Sequence, residues 1–164
     1  MQHYGKKEVL ALLDAQGIDY EVREHAAVYT VEEADALGLP YPEAAAKNLF
    51  LRDDKKKNFY LVVAREDVPI NLKDLREKIG SRPLSFASPQ LLDKMLGVIP
   101  GSVTPLGVLN DAERRVEVLL DAAFADRLIA MHPNENTATL WMQEKDLSRI
   151  IKEHGNPVRF VELD

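Results

Sequence analysis

The sequence predicts a single domain of mixed α/β class, an α+β arrangement in which short helices lie between hairpin-like strands. The chain has 164 residues, of which 46% are hydrophobic, so it can bury a substantial core without a disulfide or a metal. Helical and strand-like segments follow one another irregularly, unlike the regular alternation of a parallel βαβ sheet. No internal repeat, low-complexity tract or linker divides the chain, and we therefore expect residues 1–164 to form one unit.

The first elements are predicted to be a helix, a strand and a shorter second helix. Apolar residues at helical spacing open the chain and end before Gly17. Residues 19–25 then alternate apolar and polar side chains, as a half-buried strand does. Residues 30–33 form a Thr-x-x-Glu capping box, which predicts that the second helix begins there and ends near Gly38.

The middle of the chain is predicted to form a β-hairpin followed by two helices. Residues 48–52 and 58–65 are rich in strand-favouring side chains, and the charged stretch between them has turn character. Asn71 and Ser88 each precede a short amphipathic segment that ends at a glycine, so both are predicted to be helix N-caps.

The second half is predicted to consist mostly of strands. The candidate strands are residues 102–109, 116–120, 128–131 and 137–142. Asp146 is predicted to cap a final helix that ends at Gly155, and residues 157–163 alternate like a last strand.

Composition excludes several classes of protein. The chain has no cysteine, which excludes a disulfide framework, a thiolate zinc site and a cysteine nucleophile. Its 21 basic and 27 acidic residues give a net charge of -6, which argues against nonspecific coating of nucleic acid but allows a local basic patch. No apolar run could span a membrane and no secretory pattern opens the chain, so we expect a cytoplasmic protein without a membrane partner. The histidines lack metal-ligand spacing, and we expect neither a metal nor a cofactor.

Lys47 stands at the beginning of a strongly apolar strand. It is either a solvated residue at a strand end or a cation at the rim of a pocket. In the second case it could neutralise a phosphate or a developing oxyanion.

Two further segments could bind a ligand. Residues 97–107 combine glycines and prolines beside a helix end, and form either a helix stop or a loop that lets a ligand approach the main chain. Residues 131–139 include His132 and Asn136, and form either a turn or a set of neutral groups that orient a polar ligand.

A thin basic set surrounds the predicted hairpin and the helix that follows it. Its candidate nucleic-acid contacts are Arg52, Lys55 and Arg82. Acidic neighbours favour a solubilising surface instead, and no aromatic side chains interleave with these charges. There is also no Gly-x-Ser-x-Gly motif, so a hydrolase of this sequence would act on an already labile bond.

Taken in order, these segments resemble the YbaK/prolyl-tRNA editing family, and within it the freestanding alanyl-tRNA(Pro) deacylases called PrdX or ProXp-ala. The most specific motifs are Lys-Asn-Leu-Phe at residues 47–50 and Gly-Val-Ile-Pro-Gly-Ser-Val-Thr at residues 97–104. Further matching segments are residues 29–34, 71–75, 84–87, 109–111 and 132–136. Asn71 stands where many relatives carry Asp, and Arg82 is displaced by one residue from the usual basic position.

The resemblance implies a curled mixed sheet surrounded by helices, and an enzyme that hydrolyses the ester between misattached alanine and proline tRNA. It places the essential lysine at Lys47. It places the substrate loop at Gly97, Pro100, Gly101 and Ser102. It places polar pocket residues at His132 and Asn136. The vicinal hydroxyl of the terminal ribose would assist, and no general base is assigned.

The implied partners are the acceptor end of mischarged tRNA(Pro), read by Arg52, Arg82 and Lys55, and prolyl-tRNA synthetase as a transient associate. No DNA partner is expected. The amino-acid pocket of a synthetase rejects the smaller alanine only weakly. A separate editing site can admit alanine and exclude the bulkier proline. Two alternatives stay open, namely a deacylase for tRNA mischarged with Cys or Ser, and a noncatalytic tRNA-binding or synthetase-associated module.

Overall fold

The computed structural model describes residues 3–164. The α-helices of this range are α1 Lys6–Ala15, α2 Val31–Ala36, α3 Leu72–Ile79, α4 Pro89–Leu96 and α5 Glu144–His154. The strands are β1 Tyr20–Glu24, β2 Ala46–Asp53, β3 Phe59–Arg65, β4 Leu84–Phe86, β5 Val116–Asp121, β6 Leu128–Met131, β7 Ala138–Gln143 and β8 Val158–Val161. Short 3-10 helices span Pro42–Ala44, Pro105–Asn110 and Ala122–Phe124.

The strands form two sheets, which confirms the mixed α/β class. A five-stranded sheet has the order β4-β2-β3-β5-β8, and a three-stranded antiparallel sheet has the order β1-β7-β6. In the larger sheet β2 is antiparallel to β3 and β4, whereas β5 is parallel to β3 and β8. Parallel neighbours need long crossovers, and here helices and the whole β6-β7 hairpin supply them. The mixed sheet that the resemblance implies is the five-stranded one, and a second sheet of three strands accompanies it.

Both faces of the five-stranded sheet are covered. Alternate residues of β3 show this directly, since Leu61 and Val63 belong to one buried cluster, and Val62 and Ala64 to another. The larger cluster joins this sheet to the three-stranded sheet and to α1, α4 and α5. The smaller cluster packs the opposite face against α3 and the C-terminal segment. Such two-sided burial explains why β3 is an almost continuous apolar run.

The predicted N-caps of the early helices are confirmed. Thr30 accepts a hydrogen bond from the Glu33 amide at the beginning of α2, and Ser88 accepts one from the Leu91 amide in α4. Asn71 accepts two, from the first turn of α3, at 2.9 and 3.1 Å. An asparagine at this position therefore satisfies the helix end as an aspartate would.

Two predicted elements differ in the structure. Residues 102–109 are not a strand, because Pro105 begins a 3-10 helix whose apolar side chains are buried. Asp146 is not the cap of α5, which begins at Glu144. The buried Glu144 carboxylate accepts hydrogen bonds from the Asp126 amide at 2.9 Å and the Ser148 hydroxyl, and this fixes the earlier start. The short strand β4 was not predicted.

Candidate functional site

Lys47 lies near the beginning of β2, opposite Ala64 of β3, and is half-buried. The next residue, Asn48, has a buried amide oxygen with no hydrogen-bond partner among the residues that the structure describes. Buried acceptors without a donor are rare in folded proteins. Consecutive side chains of a strand point to opposite faces of the sheet, so Lys47 and this acceptor lie on different faces of β2. Sequence reasoning had assigned no role of its own to Asn48.

The glycine loop divides into a structural part and an exposed tip. Gly97 ends α4 in the left-handed conformation, and a Cβ there would lie 2.8 Å from the His3 ring and 2.9 Å from the Asn110 amide nitrogen. Its place is thus fixed by helix termination and close packing. Pro100 and Gly101 are exposed, whereas Ser102 is buried and its N–H closes a turn on the Ile99 carbonyl. Only the tip, residues 99–101, is therefore available to a ligand.

The structure brings the loop tip together with the segment that follows β6. A Cβ on Gly101, which has φ of +93°, would lie 3.8 Å from the Asn136 amide nitrogen. Asn136 is buried and donates a hydrogen bond to the Val28 carbonyl at 3.0 Å. Close by in sequence, Thr104 donates to the His132 carbonyl at 2.7 Å. Three chain segments, separate in sequence, thus meet at the tip of the glycine loop.

His132 is held as a neutral imidazole. Its Nδ1 lies 2.9 Å from the Ala138 carbonyl, which can only accept, so Nδ1 carries the proton and Nε2 has a free lone pair. Burial lowers the pKa of His132, and the nearby His25 lowers it further, against the opposing effect of the Ala138 carbonyl. His132 is therefore an acceptor, and not a cation, at neutral pH.

His25, directly after β1, is a residue beside the candidate site that sequence reasoning missed. Its Nδ1 lies 2.8 Å from the Ala26 carbonyl, and its Nε2 lies 2.8 Å from the Thr139 hydroxyl. When the His25 ring is neutral, the same tautomer argument makes the Thr139 hydroxyl the donor to Nε2. No local motif marks this pair, because the two residues are 114 positions apart in the sequence.

A cavity of about 300 Å³ lies between the α2 segment and the three-stranded sheet. Trp141 and Tyr41 border it and meet edge to face, with ring centroids 5.9 Å apart. Tyr41 holds a left-handed backbone at φ of +56°, and its hydroxyl donates to Glu21 at 3.0 Å. Sequence reasoning did not anticipate this cavity.

Residues close in sequence to two of the predicted site segments line the same cavity, although Lys47 and His132 themselves do not. Its lining includes Ala45, two residues before Lys47, and Ala130, two residues before His132. It also includes Thr139, the partner of His25. The beginning of β2 and the end of β6 therefore border one space.

The predicted basic contacts lie at the other end of β2. Arg52 pairs with Ser85 of β4, and its guanidinium donates to the Asp53 carbonyl at 3.1 Å. Arg82 forms a two-point ion pair with Asp54, at 2.6 and 3.0 Å, which raises the pKa of Arg82. The third residue of the set, Lys55, is exposed in the hairpin turn.

Five residues of extended strand separate Lys47 from Arg52, a span of about 17 Å. The structure therefore does not gather the lysine and the basic set into one patch. Across residues 3–164 there is no group of three or more His, Asp or Glu side chains placed to hold a metal ion. No helix of that range is long and apolar enough to cross a membrane.

Fold and site together define a small α/β domain in which loop backbone and neutral polar groups can orient a substrate without a thiol. Residues 25–150 match the aminoacyl-tRNA editing domain, and the chain belongs to that family. The membership confirms the family predicted from the sequence and its enzyme class, aminoacyl-tRNA deacylase.

Two relatives are similar over nearly their whole length. The prolyl-tRNA editing protein ProX of Acetoanaerobium sticklandii is 45% identical over 96% of this chain and 97% of its own. The prolyl-tRNA synthetase associated domain-containing protein 1 of Mus musculus is 35% identical, over 97% of this chain and 96% of its own.

A solved structure of a candidate trans-editing enzyme for prolyl tRNA synthetase shares the fold. It superposes with a TM-score of 0.71 at 21% identity, and the match covers 99% of both chains. At this identity the likeness concerns the fold alone.

Proposed function

We propose that this protein is a trans-editing hydrolase that removes alanine from mischarged alanyl-tRNA(Pro). The observation that carries the proposal is the meeting of the loop tip at Gly101 with Asn136 and the neutral His132 segment, in a member of the editing family. The similarity to ProX supports the choice of a proline tRNA. The substrate is a soluble charged tRNA, so we expect the reaction in the cytoplasm, with transient access to prolyl-tRNA synthetase.

The residues of the site suit an activated ester, which needs orientation more than a strong nucleophile. Lys47 holds the terminal phosphate or ribose and offsets negative charge that develops at the ester. Backbone groups at the tip of the glycine loop, around Pro100 and Gly101, hold the aminoacyl group. The vicinal hydroxyl of the terminal ribose positions the attacking water. No residue is assigned as general base.

Two neutral hydrogen-bond acceptors lie in the part of the site that binds the aminoacyl group in this proposal. The lone pair on Nε2 of His132 can accept a hydrogen bond from the substrate ammonium or ribose hydroxyl, which a protonated imidazole could not do. The unpartnered oxygen of Asn48 offers a second acceptor. The side-chain amide of Asn136 already donates a hydrogen bond to the Val28 carbonyl. Asn136 therefore shapes the wall of the pocket by holding the backbone at Val28 in place. A site of this kind admits alanine and excludes the larger proline ring by volume.

The acceptor stem contacts the far end of β2 in this proposal. Arg52, Arg82 and Lys55 face the phosphates there, while the ester lies near Lys47. Lys47 and Arg52 are about 17 Å apart along the strand. This distance suits a tRNA whose single-stranded 3′ end reaches Lys47 while its double-stranded stem stays at the far end of β2.

Labelled alanyl-tRNA(Pro) tests the function directly. The wild-type protein is expected to release alanine, and Lys47→Ala is expected to lower kcat/KM by about 100-fold, because a preorganised charge-stabilising group is lost. Lys152→Ala, which removes an exposed lysine from α5, serves as the matched control and is expected to keep wild-type activity.

A panel of charged tRNAs separates the alternatives. Turnover of tRNA charged with Cys or Ser, and not of alanyl-tRNA(Pro), would move the substrate assignment within the family. Binding of every charged tRNA without turnover of any would identify a noncatalytic module and contradict the proposal.

A further inference from the structure

Tyr29 presents an aromatic ring to solvent beside the glycine loop. Its side chain is 65% exposed. The backbone on both sides of Tyr29, in the segment between β1 and α2, is nevertheless held by hydrogen bonds. The hydrogen bond from Asn136 to the Val28 carbonyl, at 3.0 Å, fixes the residue that precedes it. The Thr30 cap of α2 fixes the residue that follows.

The ring lies directly against the tip of the loop. A Cβ built on Gly101 would sit 3.4 Å from Cδ1 and 3.9 Å from Cε1 of Tyr29, so the ring borders the side of Gly101 on which a side chain would project. Gly101 has φ of +93°, a conformation that side-chain-bearing residues rarely adopt. Because it has no side chain, the space between the loop and the Tyr29 ring stays unfilled. Ile99, on the same tip, is 54% exposed. The result is an apolar surface at the mouth of the candidate site.

We propose that the ring of Tyr29 is the stacking surface for the 3′-terminal base of the aminoacylated RNA. The inference rests on the proposed function, because it takes the loop at residues 99–101 to be the place where the ester binds. Ester and terminal base belong to one nucleotide, so a surface for the base must border the loop that holds the ester. Unpaired bases at RNA ends are characteristically bound by stacking on exposed aromatic side chains.

A binding experiment tests the stacking without requiring turnover. The probe is an uncharged RNA hairpin with a single-stranded 3′ end whose last base is 2-aminopurine, a fluorescent adenine analogue that is quenched when it stacks. We expect the wild-type protein and Tyr29→Phe to quench the probe. Tyr29→Ala is expected to weaken binding about 5- to 150-fold, the range seen when a stacking aromatic is truncated. Phe160→Ala, which truncates a 46% exposed ring on β8, is the matched control and is expected to bind as wild type.

Equal quenching by wild type and Tyr29→Ala, or no quenching by wild type, would overturn the inference. It would also be overturned by a wild-type dimer that Tyr29→Ala dissolves in size-exclusion chromatography, since the ring would then belong to a protein interface. Thermal unfolding of each variant separates lost stacking from lost folding, with Tyr29→Phe as the rescue.

Deacylation assays keep the two proposals distinguishable. If the wild type hydrolyses alanyl-tRNA(Pro) and Tyr29→Ala raises KM while kcat is kept, both stand. If hydrolysis proceeds with an unchanged KM in Tyr29→Ala, the stacking inference fails and the proposed function survives.

Discussion

At the scale of single residues, the chemistry proposed for the site depends on which imidazole nitrogen carries a proton. The Ala138 carbonyl sets this for His132, and the Ala26 carbonyl sets it for His25. In its neutral form each ring is thereby left with an acceptor at Nε2, and in His25 that nitrogen faces the Thr139 hydroxyl. In the proposed site, the free acceptor of His132 is the one that would meet a substrate.

The lowered pKa of His132 predicts a specific dependence of stability on pH. Because the folded state resists protonation, the unfolded chain takes up the proton first as the pH falls through the ordinary value of 6.5. The contribution of His132 to the free energy of unfolding is thus fully present above that value and declines below it, until the pH reaches the lowered pKa of the folded state. The His132→Gln variant is expected to lose this decline.

Urea unfolding of wild type and His132→Gln at a series of pH values measures the effect. The difference between the two free energies of unfolding should be constant above pH of about 7.5 and should shrink toward acid pH. His3 and His154 are common to both proteins and cancel in this difference, whereas His25 interacts electrostatically with His132 and contributes to it. A difference that does not change with pH would show that the pKa of His132 is not lowered.

At the scale of elements, the glycine loop combines a rigid base with an accessible tip. Its base is formed where Gly97 ends α4 and where Asn110 donates a hydrogen bond to the Leu96 carbonyl at 2.9 Å. Gly97 and Gly107, the first and last glycines of the segment 97–107, therefore act through packing, since a Cβ on Gly107 would also approach Leu96 at 3.1 Å.

Substitution of Gly97 by alanine tests this division of the loop. The new Cβ would combine a strained left-handed backbone with contacts of 2.8 and 2.9 Å, so we expect a loss of about 2–4 kcal/mol in the free energy of unfolding. Gly80→Ala is the matched control, because Gly80 ends α3 at a similar φ of +70° and nothing lies within 4 Å of the position that its methyl group would take. Gly80→Ala should lose only the part of the free energy of unfolding that comes from the strained left-handed backbone, about 1–2 kcal/mol. Equal losses in urea unfolding would contradict the close packing of Gly97.

Elements with strong local signals were predictable from the sequence, and those decided by distant contacts were not. The caps at Thr30, Asn71 and Ser88 act within three residues and were found. The 3-10 helix after Thr104 has strand-like apolar composition, and Pro105 at its first position is the local feature that opposes a strand. The start of α5 depends on the bond from Asp126 to Glu144, across 18 residues.

The candidate site shows the same limit. Lys47 and the glycine loop stand in recognisable motifs, whereas the pairing of His25 with Thr139 joins β1 to β7 across the sheet. A pattern read along the chain contains no information on that register unless the strand order is known.

At the scale of the whole molecule, the net negative charge opposes nucleic-acid binding. Local binding requires that a basic side chain exchange its carboxylate partner for a phosphate. The net charge is -6, and the exposed Arg82 is already neutralised by Asp54. An RNA phosphate must compete with that carboxylate. Binding should therefore be weak and sensitive to salt, which suits an enzyme that samples many charged tRNAs and releases the correct ones.

Removal of the competing carboxylate is expected to strengthen RNA binding. In Asp54→Asn the Arg82 guanidinium becomes available to a phosphate, so kcat/KM for charged tRNA at low salt should rise several-fold, and the slope of its logarithm against the logarithm of salt concentration should steepen by about one. Asp126→Asn is the matched control, because it removes one negative charge and frees the partner Lys145 without altering the hairpin. Its left-handed backbone, at φ of +60°, tolerates asparagine. If both variants change kcat/KM equally, net charge alone governs association; if only Asp54→Asn does, the far end of β2 is where the acceptor stem binds.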